Sequence, residues 1–411
     1  MLPLRPGRAR RVPPNRAGRP VIAPLPAPGN GDTREWSARA RRFRRRPPPA
    51  PGVAIGCDEE VTMRESPLHR FATIFAAALA APLAAATTPT GTLLVANKSE
   101  ATVSLVDAAS RAVRATVPTG EGPHEVAVSP DGRAALVANY GARQPGSTLT
   151  VIDVPGRRVA RTIELAPHRR PHGLAFLPGG ERALVTAEES RALLVVDLAR
   201  GVVERALPTG AEVSHMVVAS TDGARAYVAN IGSGSVTAFD LGSGERLSEI
   251  RTGRGAEGLA LAPDGKELWV TNRDDDTVSV IDAAALRVVA TLAAPDFPIR
   301  AEVTPGGLRV LVSCAGSGDL AVFDRARRVL ERRVSLPAPA GTTEGKLFGG
   351  RFGASSVPIG IEIAPDGSRA WIAHASADVV SEVDLERFTR TGELRAGREP
   401  DGMAFSPLTL P

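Results

Sequence analysis

The feature that most constrains this fold is a short segment that occurs seven times along the 411-residue chain. Each copy joins two apolar runs through a tight turn, as in residues 123–139 (PHEVAVSPDGRAALVAN) and 256–272 (AEGLALAPDGKELWVTN). The residues that open the seven turns are Pro130, Pro178, Thr221, Pro263, Pro305, Pro365 and Pro407. They are 48, 43, 42, 42, 60 and 42 residues apart, and such a period with only strand-like segments predicts the blades of a β-propeller.

Each repeat predicts four short strands, rich in Val, Ile and Leu and bounded by turn residues. In the fifth copy they are Gly258–Ala262, Glu267–Thr271, Val278–Asp282 and Val288–Leu292. The seventh copy is divided, because residues 400–407 supply its first half and residues 91–97 its second half. We therefore predict an all-β, seven-bladed β-propeller with four-stranded antiparallel blades over residues 87–411. The C-terminal strand pairs into the N-terminal blade and closes the ring.

The front of the chain has a different composition. Residues 1–62 hold 13 Arg, five acidic residues and 12 of the 35 Pro, which predicts a disordered segment that lies upstream of the true start. A nucleic-acid-binding arm is the alternative. After Met63 come basic residues, the apolar run Phe71–Leu83 and three alanines, which predict a signal peptide over residues 63–86. We expect a periplasmic or secreted protein with no transmembrane segment in the mature chain.

The charge of the chain bears on its possible partners, and its cysteine content bears on disulfide bonds. The net charge of the chain is +5, but residues 1–62 alone contribute +8, so the remainder is mildly acidic. We therefore expect no nucleic-acid partner for the mature domain. Only Cys57 and Cys314 are present, which excludes a disulfide framework in the mature chain. We expect a monomer.

Several segments resemble the YVTN-type β-propeller repeat family. They are YVAN (Tyr227–Asn230), WVTN (Trp269–Asn272), TVSVID (Thr277–Asp282) and VVATL (Val288–Leu292). The resemblance implies a seven-bladed propeller. The family includes extracytoplasmic and surface proteins of unknown role. The pattern is also similar to seven-bladed lactonases of the 6-phosphogluconolactonase type and to the propeller of nitrous-oxide reductase. It specifies a fold and leaves the function open.

A row of histidines marks one mouth of the predicted channel. Six residues before the seven turns stand His124, His172, His215, Glu257, Ile299, Ile359 and Asp401. Inner strands line the axis of a propeller, so we expect the five polar members to bind a ligand. The three histidines are also candidate metal ligands, since imidazole suits Zn, Cu and Fe. A favoured sequence at each blade entrance is the structural alternative, and no cofactor is identified.

A second group breaks the repeat in blades 6 and 7. Glu302 and Glu362 replace small or apolar residues of the other first strands, and Arg300 stands two residues before Glu302. A buried Arg–Glu pair between the blades is one interpretation. The other is a pocket in which Arg300 binds an anion and a glutamate with a raised pKa acts as acid or base. His374, at a position that is Asn in four blades, completes the candidate catalytic set of Arg300, Glu302, Glu362 and His374.

The 60-residue spacing inserts the glycine-rich stretch Gly341–Ser356 between blades 6 and 7. It predicts a mobile loop over the mouth, with Lys346 and Arg351 as ligand contacts, and a solvated linker is the alternative. The leading hypothesis is an exported, non-enzymatic propeller that binds a small ligand or a partner protein at one mouth. A lactonase-like hydrolase and a metal-binding propeller are the alternatives.

Overall fold

The computed structural model describes residues 89–337 and 345–411, which form seven four-stranded antiparallel sheets. The predicted seven-bladed β-propeller is confirmed. The predicted disordered segment (residues 1–62) and signal peptide (residues 63–86) lie outside the described residues. In the described part of the chain, no helix is long and apolar enough to cross a membrane.

Blades follow one another along the chain. Blade 1 begins with β1 (Thr92–Asn97), a single 3-10 turn (Lys98–Glu100), β2 (Thr102–Asp107) and β3 (Val113–Pro118). Blade 2 contains β4 (Pro123–Val128), β5 (Ala134–Gly141), β6 (Pro145–Asp153) and β7 (Arg158–Glu164). Blade 3 contains β8 (Pro171–Phe176), β9 (Arg182–Ala187), β10 (Ala192–Asp197) and β11 (Val202–Pro208). Blade 4 contains β12 (Ser214–Ala219), β13 (Arg225–Asn230), β14 (Ser235–Asp240) and β15 (Arg246–Arg251).

The remaining blades continue the pattern. Blade 5 contains β16 (Ala256–Leu261), β17 (Glu267–Asn272), β18 (Thr277–Asp282) and β19 (Arg287–Ala293). Blade 6 contains β20 (Pro298–Val303), β21 (Arg309–Cys314), β22 (Asp319–Asp324) and β23 (Val329–Ser335). Blade 7 contains β24 (Pro358–Ile363), β25 (Arg369–His374), β26 (Val379–Asp384) and β27 (Thr389–Leu394). The last strand, β28 (Pro400–Ser406), is the innermost strand of blade 1.

The chain ends close the ring. Strand β28 pairs with β1 in antiparallel register, from Thr92 opposite Ser406 to Asn97 opposite Pro400. This confirms the closure predicted from the divided repeat. Because β28 pairs with β1, the inner edge of β1 is not left as an unpaired strand edge.

The core lies between the blades. Trp269 of blade 5 packs on Phe323 of blade 6 with ring centroids 5.9 Å apart. Trp371 of blade 7 stacks on Phe405 of blade 1 at 5.6 Å. Each large apolar cluster is shared by neighbouring sheets, so the blade faces are buried against one another and the inner strands are held in fixed positions.

Every inner strand has a register shift near its start. In blade 2, Pro123 pairs with Asn139 and Val126 with Val137, so His124 and Glu125 together face one residue of β5. Equivalent shifts occur in the other six inner strands. A β-bulge changes the direction in which a side chain points. The bulges therefore fall at the positions where the sequence places its histidine row.

Candidate functional site

Two sets of equivalent residues meet at one mouth. The inner ring comprises the bulge residues Asp401, His124, His172, His215, Glu257, Ile299 and Ile359, in the order of blades 1 to 7. The outer ring comprises the residues that follow the asparagine position of each second strand, which are Lys98, Tyr140, Glu188, Ile231, Arg273, Ala315 and Ala375. Both rings are polar mainly in blades 1 to 5 and apolar in blades 6 and 7. The mouth thus has a polar part and an apolar part.

The structure brings the three inner-ring histidines together. The ring centroids of His124 and His172 are 4.5 Å apart, and those of His172 and His215 are 3.5 Å apart. All three side chains are buried. Equivalent residues of neighbouring blades are therefore close enough to contact one ligand.

The close approach of blades 3 and 4 is a property of their backbones. Gly173 follows His172 in the bulge, and a Cβ atom there would lie 2.6 Å from the His215 carbonyl oxygen. The Thr186 hydroxyl accepts a hydrogen bond from Gly173 N at 2.8 Å and donates one to the His215 carbonyl oxygen at 2.5 Å. A glycine and a bridging hydroxyl therefore let the two strands bring their imidazole rings into contact.

Two carboxylates hold the His215 ring. Its Nδ1 lies 2.6 Å from Glu188 Oε1, and its Nε2 lies 3.4 Å from Glu257 Oε1. Burial lowers the pKa of His215, but its hydrogen bonds to the two carboxylates raise that pKa above the ordinary value. Burial raises the pKa of each carboxyl, yet the contact with His215 lowers the pKa of Glu188. His215 and Arg273 together lower the pKa of Glu257 to about 2.

A third carboxylate holds His124. Asp401 Oδ2 lies 2.7 Å from His124 Nδ1 and 4.0 Å from Lys98 Nζ. Burial raises the pKa of Asp401, but His124, Lys98 and Arg300 lower it below its ordinary range. Burial and the Lys98 charge lower the pKa of His124 in spite of Asp401. The contact with His124 and the Lys98 charge therefore favour the ionised form of Asp401.

His172 lacks such a partner. Its side chain is 1% exposed, and neither ring nitrogen has a hydrogen-bond partner among the described residues. Burial lowers the pKa of His172 well below the ordinary value, and the charges of His215 and His124 lower it further. A neutral imidazole carries a free electron pair on one nitrogen. His172, in the middle of the row, thus has a ring nitrogen whose electron pair no described residue uses.

An ion pair joins inner strands of non-neighbouring blades. The Arg300 guanidinium of blade 6 donates a hydrogen bond to Glu125 of blade 2, and its Nη1 lies 3.3 Å from Glu257 Oε1. Arg273 of the outer ring lies 2.6 Å from the other oxygen of Glu257. All of these side chains except Arg273 are buried. Arg300 thus forms a buried Arg–Glu pair between blades, but its partners are Glu125 and Glu257 rather than the glutamates of blades 6 and 7.

The apolar part of the mouth is covered by the described end of the insertion. Leu347, Phe348 and Phe352 pack against a cluster that contains Ile299 and Ile359. Lys346 Nζ lies 2.7 Å from Asp378 Oδ1, and the Arg351 guanidinium stacks on Phe297 with 4.6 Å to its ring centroid. Among residues 89–337 and 345–411, neither cation forms an ion pair with the histidine row. We call residues 345–356 the cap.

The two glutamates of blades 6 and 7 lie apart from the rings. Glu302 Oε1 accepts a hydrogen bond from Ile363 N at 3.3 Å, and Glu362 accepts one from the main chain of Phe405. The side chains of Glu302 and Glu362 are partly exposed, and both residues lie on inner strands, β20 and β24. Burial raises the pKa of Glu302 to about 8. Burial and the Glu302 charge raise the pKa of Glu362 well above its ordinary value.

His374 occupies a structural position. Its Nδ1 lies 2.7 Å from Ser356 Oγ and its Nε2 lies 2.9 Å from Ser381 Oγ, and the side chain is fully buried. Asn272 makes the matching contacts in blade 5, to Thr277 and Ser279. The structure therefore does not bring His374 together with Arg300, Glu302 or Glu362. The four candidate catalytic residues belong to three separate environments.

A surface pocket, here called the access pocket, lies beside the polar part of the mouth. Its volume is about 360 Å³, and it is lined by Tyr140, Arg170, Glu188, Glu189, Arg191, Glu212 and Val213. The Tyr140 hydroxyl donates a hydrogen bond to Glu188 Oε2 at 2.6 Å, and the Tyr140 ring contacts those of His124 and His172. Larger pockets of about 420, 470 and 510 Å³ lie elsewhere and contain no residue of the two rings except Ile231.

Fold and site together define a seven-bladed propeller with a histidine and carboxylate cluster at one mouth. Residues 180–345 match the family model described as a YNCE-like beta-propeller. This agrees with the propeller-repeat family expected from the sequence motifs. The similarities to lactonases and to nitrous-oxide reductase stay predictions.

Solved structures support the fold. Hydrazine synthase from Kuenenia stuttgartiensis is similar at 21% identity and a TM-score of 0.59, over 69% of this chain and 90% of that one. A functionally unknown protein from Desulfotomaculum acetoxidans DSM 771 is similar at 12% identity and a TM-score of 0.64, over 77% and 99%. At these identities the likeness concerns the fold alone. No curated protein matches the chain.

Several site residues escaped the sequence reasoning. Comparison of inner-strand positions found the inner ring, but it missed Glu125 and the polar members of the outer ring. A signal for the outer ring was present, because each of its members directly follows the asparagine position of its repeat. Glu125 carried a weaker signal, since its position is Gly in blades 1, 3, 5 and 7 and Arg300 in blade 6.

Proposed function

We propose that this protein is a non-enzymatic binding propeller that holds a small ligand at the polar part of its mouth. The observation that carries the proposal is the fully buried, unpartnered imidazole of His172. An unsatisfied buried polar group costs about 1–3 kcal/mol. Ile299 and Ile359 occupy the same ring position in blades 6 and 7, so an apolar side chain is compatible with this fold. A ligand that uses the free nitrogen accounts for the histidine.

The access pocket supports a small ligand over a protein partner. Its volume of about 360 Å³ is within the range of about 300–1,000 Å³ that small-molecule pockets have. Its wall includes Glu188 and Tyr140, which are in direct contact with the histidine row. A small ligand can therefore approach the row from the surface beside these two residues.

The separation of the candidate catalytic residues favours binding over lactone hydrolysis. Arg300 is occupied by two carboxylates, and both nitrogens of His374 are occupied by serines. An acid–base mechanism needs its groups within hydrogen-bond reach of one substrate. Because these residues lie in separate environments, no observation favours the hydrolase.

Thermal shift measurements on the full chain test the binding proposal. The probes are divalent metal chlorides, inorganic phosphate, citrate, choline and gluconolactone. His172→Ile copies the residue of blades 6 and 7, and His374→Asn, the control, copies the residue of blades 1, 2, 4 and 5. We expect at least one probe to raise the Tm of the native protein and of His374→Asn but not that of His172→Ile. Shifts that persist in His172→Ile, or the lack of any shift, would contradict the proposal.

We also propose that the chain is exported through the signal peptide that begins at Met63. The proposal is supported by the basic residues, the apolar run and the small residues of segment 63–86. N-terminal sequencing of the protein from a periplasmic or culture fraction tests it. A new N-terminus near Thr87 is expected, and an intact N-terminus in the cytoplasmic fraction would contradict it.

A further inference from the structure

Glu188 differs from the other carboxylates of the site in its partners. Asp401 has Lys98, Glu257 has Arg273 and Arg300, and Glu125 has Arg300. The partners of Glu188 are His215 Nδ1 and the Tyr140 hydroxyl, and no Lys or Arg forms an ion pair with it within residues 89–337 and 345–411. Glu188 is thus the one acidic group of the cluster without a permanent cation beside it.

This carboxylate lies next to two imidazoles. One donor atom each from His172, Glu188 and His215 lie within 4.8 Å of one another. Ligand atoms of a tetrahedral zinc ion, at bond lengths of about 2.1 Å, are about 3.4 Å apart. The three donor atoms therefore need to move closer together, by side-chain rotation, when an ion binds.

We infer that His172, Glu188 and His215 bind a divalent first-row transition-metal ion of the Zn²⁺ class. This inference rests on the proposed function, since it names the ligand that takes the free nitrogen of His172. Two imidazole nitrogens and one carboxylate oxygen form a donor set that suits zinc, copper, iron and nickel. Three protein ligands leave a coordination position for water or a small anion.

The surroundings support the ion electrostatically. The cluster contains the four carboxylates of Glu125, Glu188, Glu257 and Asp401 and the three cations of Lys98, Arg273 and Arg300. The carboxylates outnumber the Lys and Arg side chains by one, so these charges favour a divalent cation over an anion.

Contacts around the three ligands fix their orientation. The Tyr140 hydroxyl donates a hydrogen bond to the second oxygen of Glu188, and Glu257 faces the other nitrogen of His215. Thr186 holds the backbone between His172 and His215. Such outer contacts change metal affinity by about 10- to 100-fold when they are removed. Thr186 is therefore a positioning residue.

Calorimetric titration of the chelator-treated full chain with Zn²⁺ tests the inference. We expect one ion per chain and a loss of affinity of at least about tenfold in His172→Ile, His215→Asn and Glu188→Gln, with native affinity in His374→Asn. Co²⁺ absorption bands reporting nitrogen and oxygen ligands should be lost in the same variants. Folding of each variant is checked by near-UV circular dichroism, and His172→Ile introduces a residue that the ring already carries twice.

The outcomes separate the two proposals. Equal Zn²⁺ affinity in native protein and His172→Ile would overturn the metal inference. If Zn²⁺ does not bind but an organic probe stabilises the protein in a His172-dependent way, the metal inference fails and the proposed function stands. If neither metal nor organic probe depends on His172, both fail.

Discussion

Arg300 of blade 6 donates a hydrogen bond to Glu125 of blade 2, and this ion pair joins two inner strands that belong to non-neighbouring blades. Both side chains are buried, and Arg300 also contacts Glu257. Glu125 and Arg300 directly follow His124 and Ile299 of the inner ring, so the pair links two separate parts of that ring.

Removal of Arg300 should lower the free energy of unfolding, because its buried carboxylate partner is left unpaired. Arg300→Met leaves Glu125 as a buried charge without its partner, which costs about 3–5 kcal/mol of the free energy of unfolding. The double variant Arg300→Met/Glu125→Gln should recover part of the loss. Urea denaturation measures both values.

An exposed ion pair provides the control for this experiment. Arg254 pairs with Asp275 at 2.6 Å, and the Arg254 side chain is 78% exposed. Arg254→Met should change the free energy of unfolding by about 1 kcal/mol or less. An effect of Arg300→Met no larger than that of Arg254→Met would contradict the assignment of a buried ion pair between Arg300 and Glu125.

Gly173 should tolerate no side chain. A Cβ atom at this position would lie 2.6 Å from the His215 carbonyl oxygen, so Gly173→Ala must separate blades 3 and 4. Overpacking of this kind costs about 1–3 kcal/mol. The matched control is Gly306→Ala, where the added atom meets nothing within 4 Å, and a change of about 0.5 kcal/mol or less is expected. Thermal unfolding compares the two, and equal losses would refute the close approach.

Glu302 should make stability depend on pH. Burial raises its pKa in the folded protein to about 8 from the ordinary value of 4.5. The folded state therefore binds more protons than the unfolded state between these values, and this contribution to stability falls as the pH rises from about 4.5 to about 8. Glu302→Gln should gain stability relative to the native protein by more than about 1 kcal/mol between about pH 5 and about pH 8. Scanning calorimetry at the two pH values measures the difference, and a pH-independent difference would contradict the assignment.

The cap should stabilise the apolar part of the mouth without serving the polar part. Phe352 packs on Phe297 with ring centroids 4.8 Å apart and shields the cluster that contains Ile299 and Ile359. Phe352→Ala should lower the free energy of unfolding by about 1–2 kcal/mol, because the partly buried ring loses part of its burial energy. Zn²⁺ affinity should stay within about twofold of native. A tenfold drop in affinity would show that the cap contributes to the ligand site, as a lid would.

Nearly all of the fold could be predicted from the sequence repeat. The strands predicted for the fifth copy agree with β16 to β19 to within about two residues at each end, because apolar runs and Pro-Asp-Gly turns mark them locally. Gly265 has the positive φ of 68° that this turn requires. The divided copy likewise predicted the pairing of β28 with β1, which no local pattern contains.

The site was predicted only where the repeat itself could be aligned. The inner-ring histidines stood out because they share one position in consecutive copies. Glu188 and Tyr140 did not, because their contacts with the histidine row depend on how neighbouring blades are placed. A buried Arg–Glu pair between blades was predicted for Arg300, but its partner Glu125 lies 175 residues away along the chain and was not identified. Contacts across a ring leave no trace in sequence spacing.

The most direct test of the metal site is anomalous X-ray diffraction at the zinc edge from crystals of the full chain grown with Zn²⁺. We predict a peak bonded to His172, Glu188 and His215, with metal–ligand distances of about 2.0–2.2 Å. Crystals of His172→Ile grown in the same way should lack that peak. Crystals of the native protein without anomalous density at these three side chains would contradict the metal site.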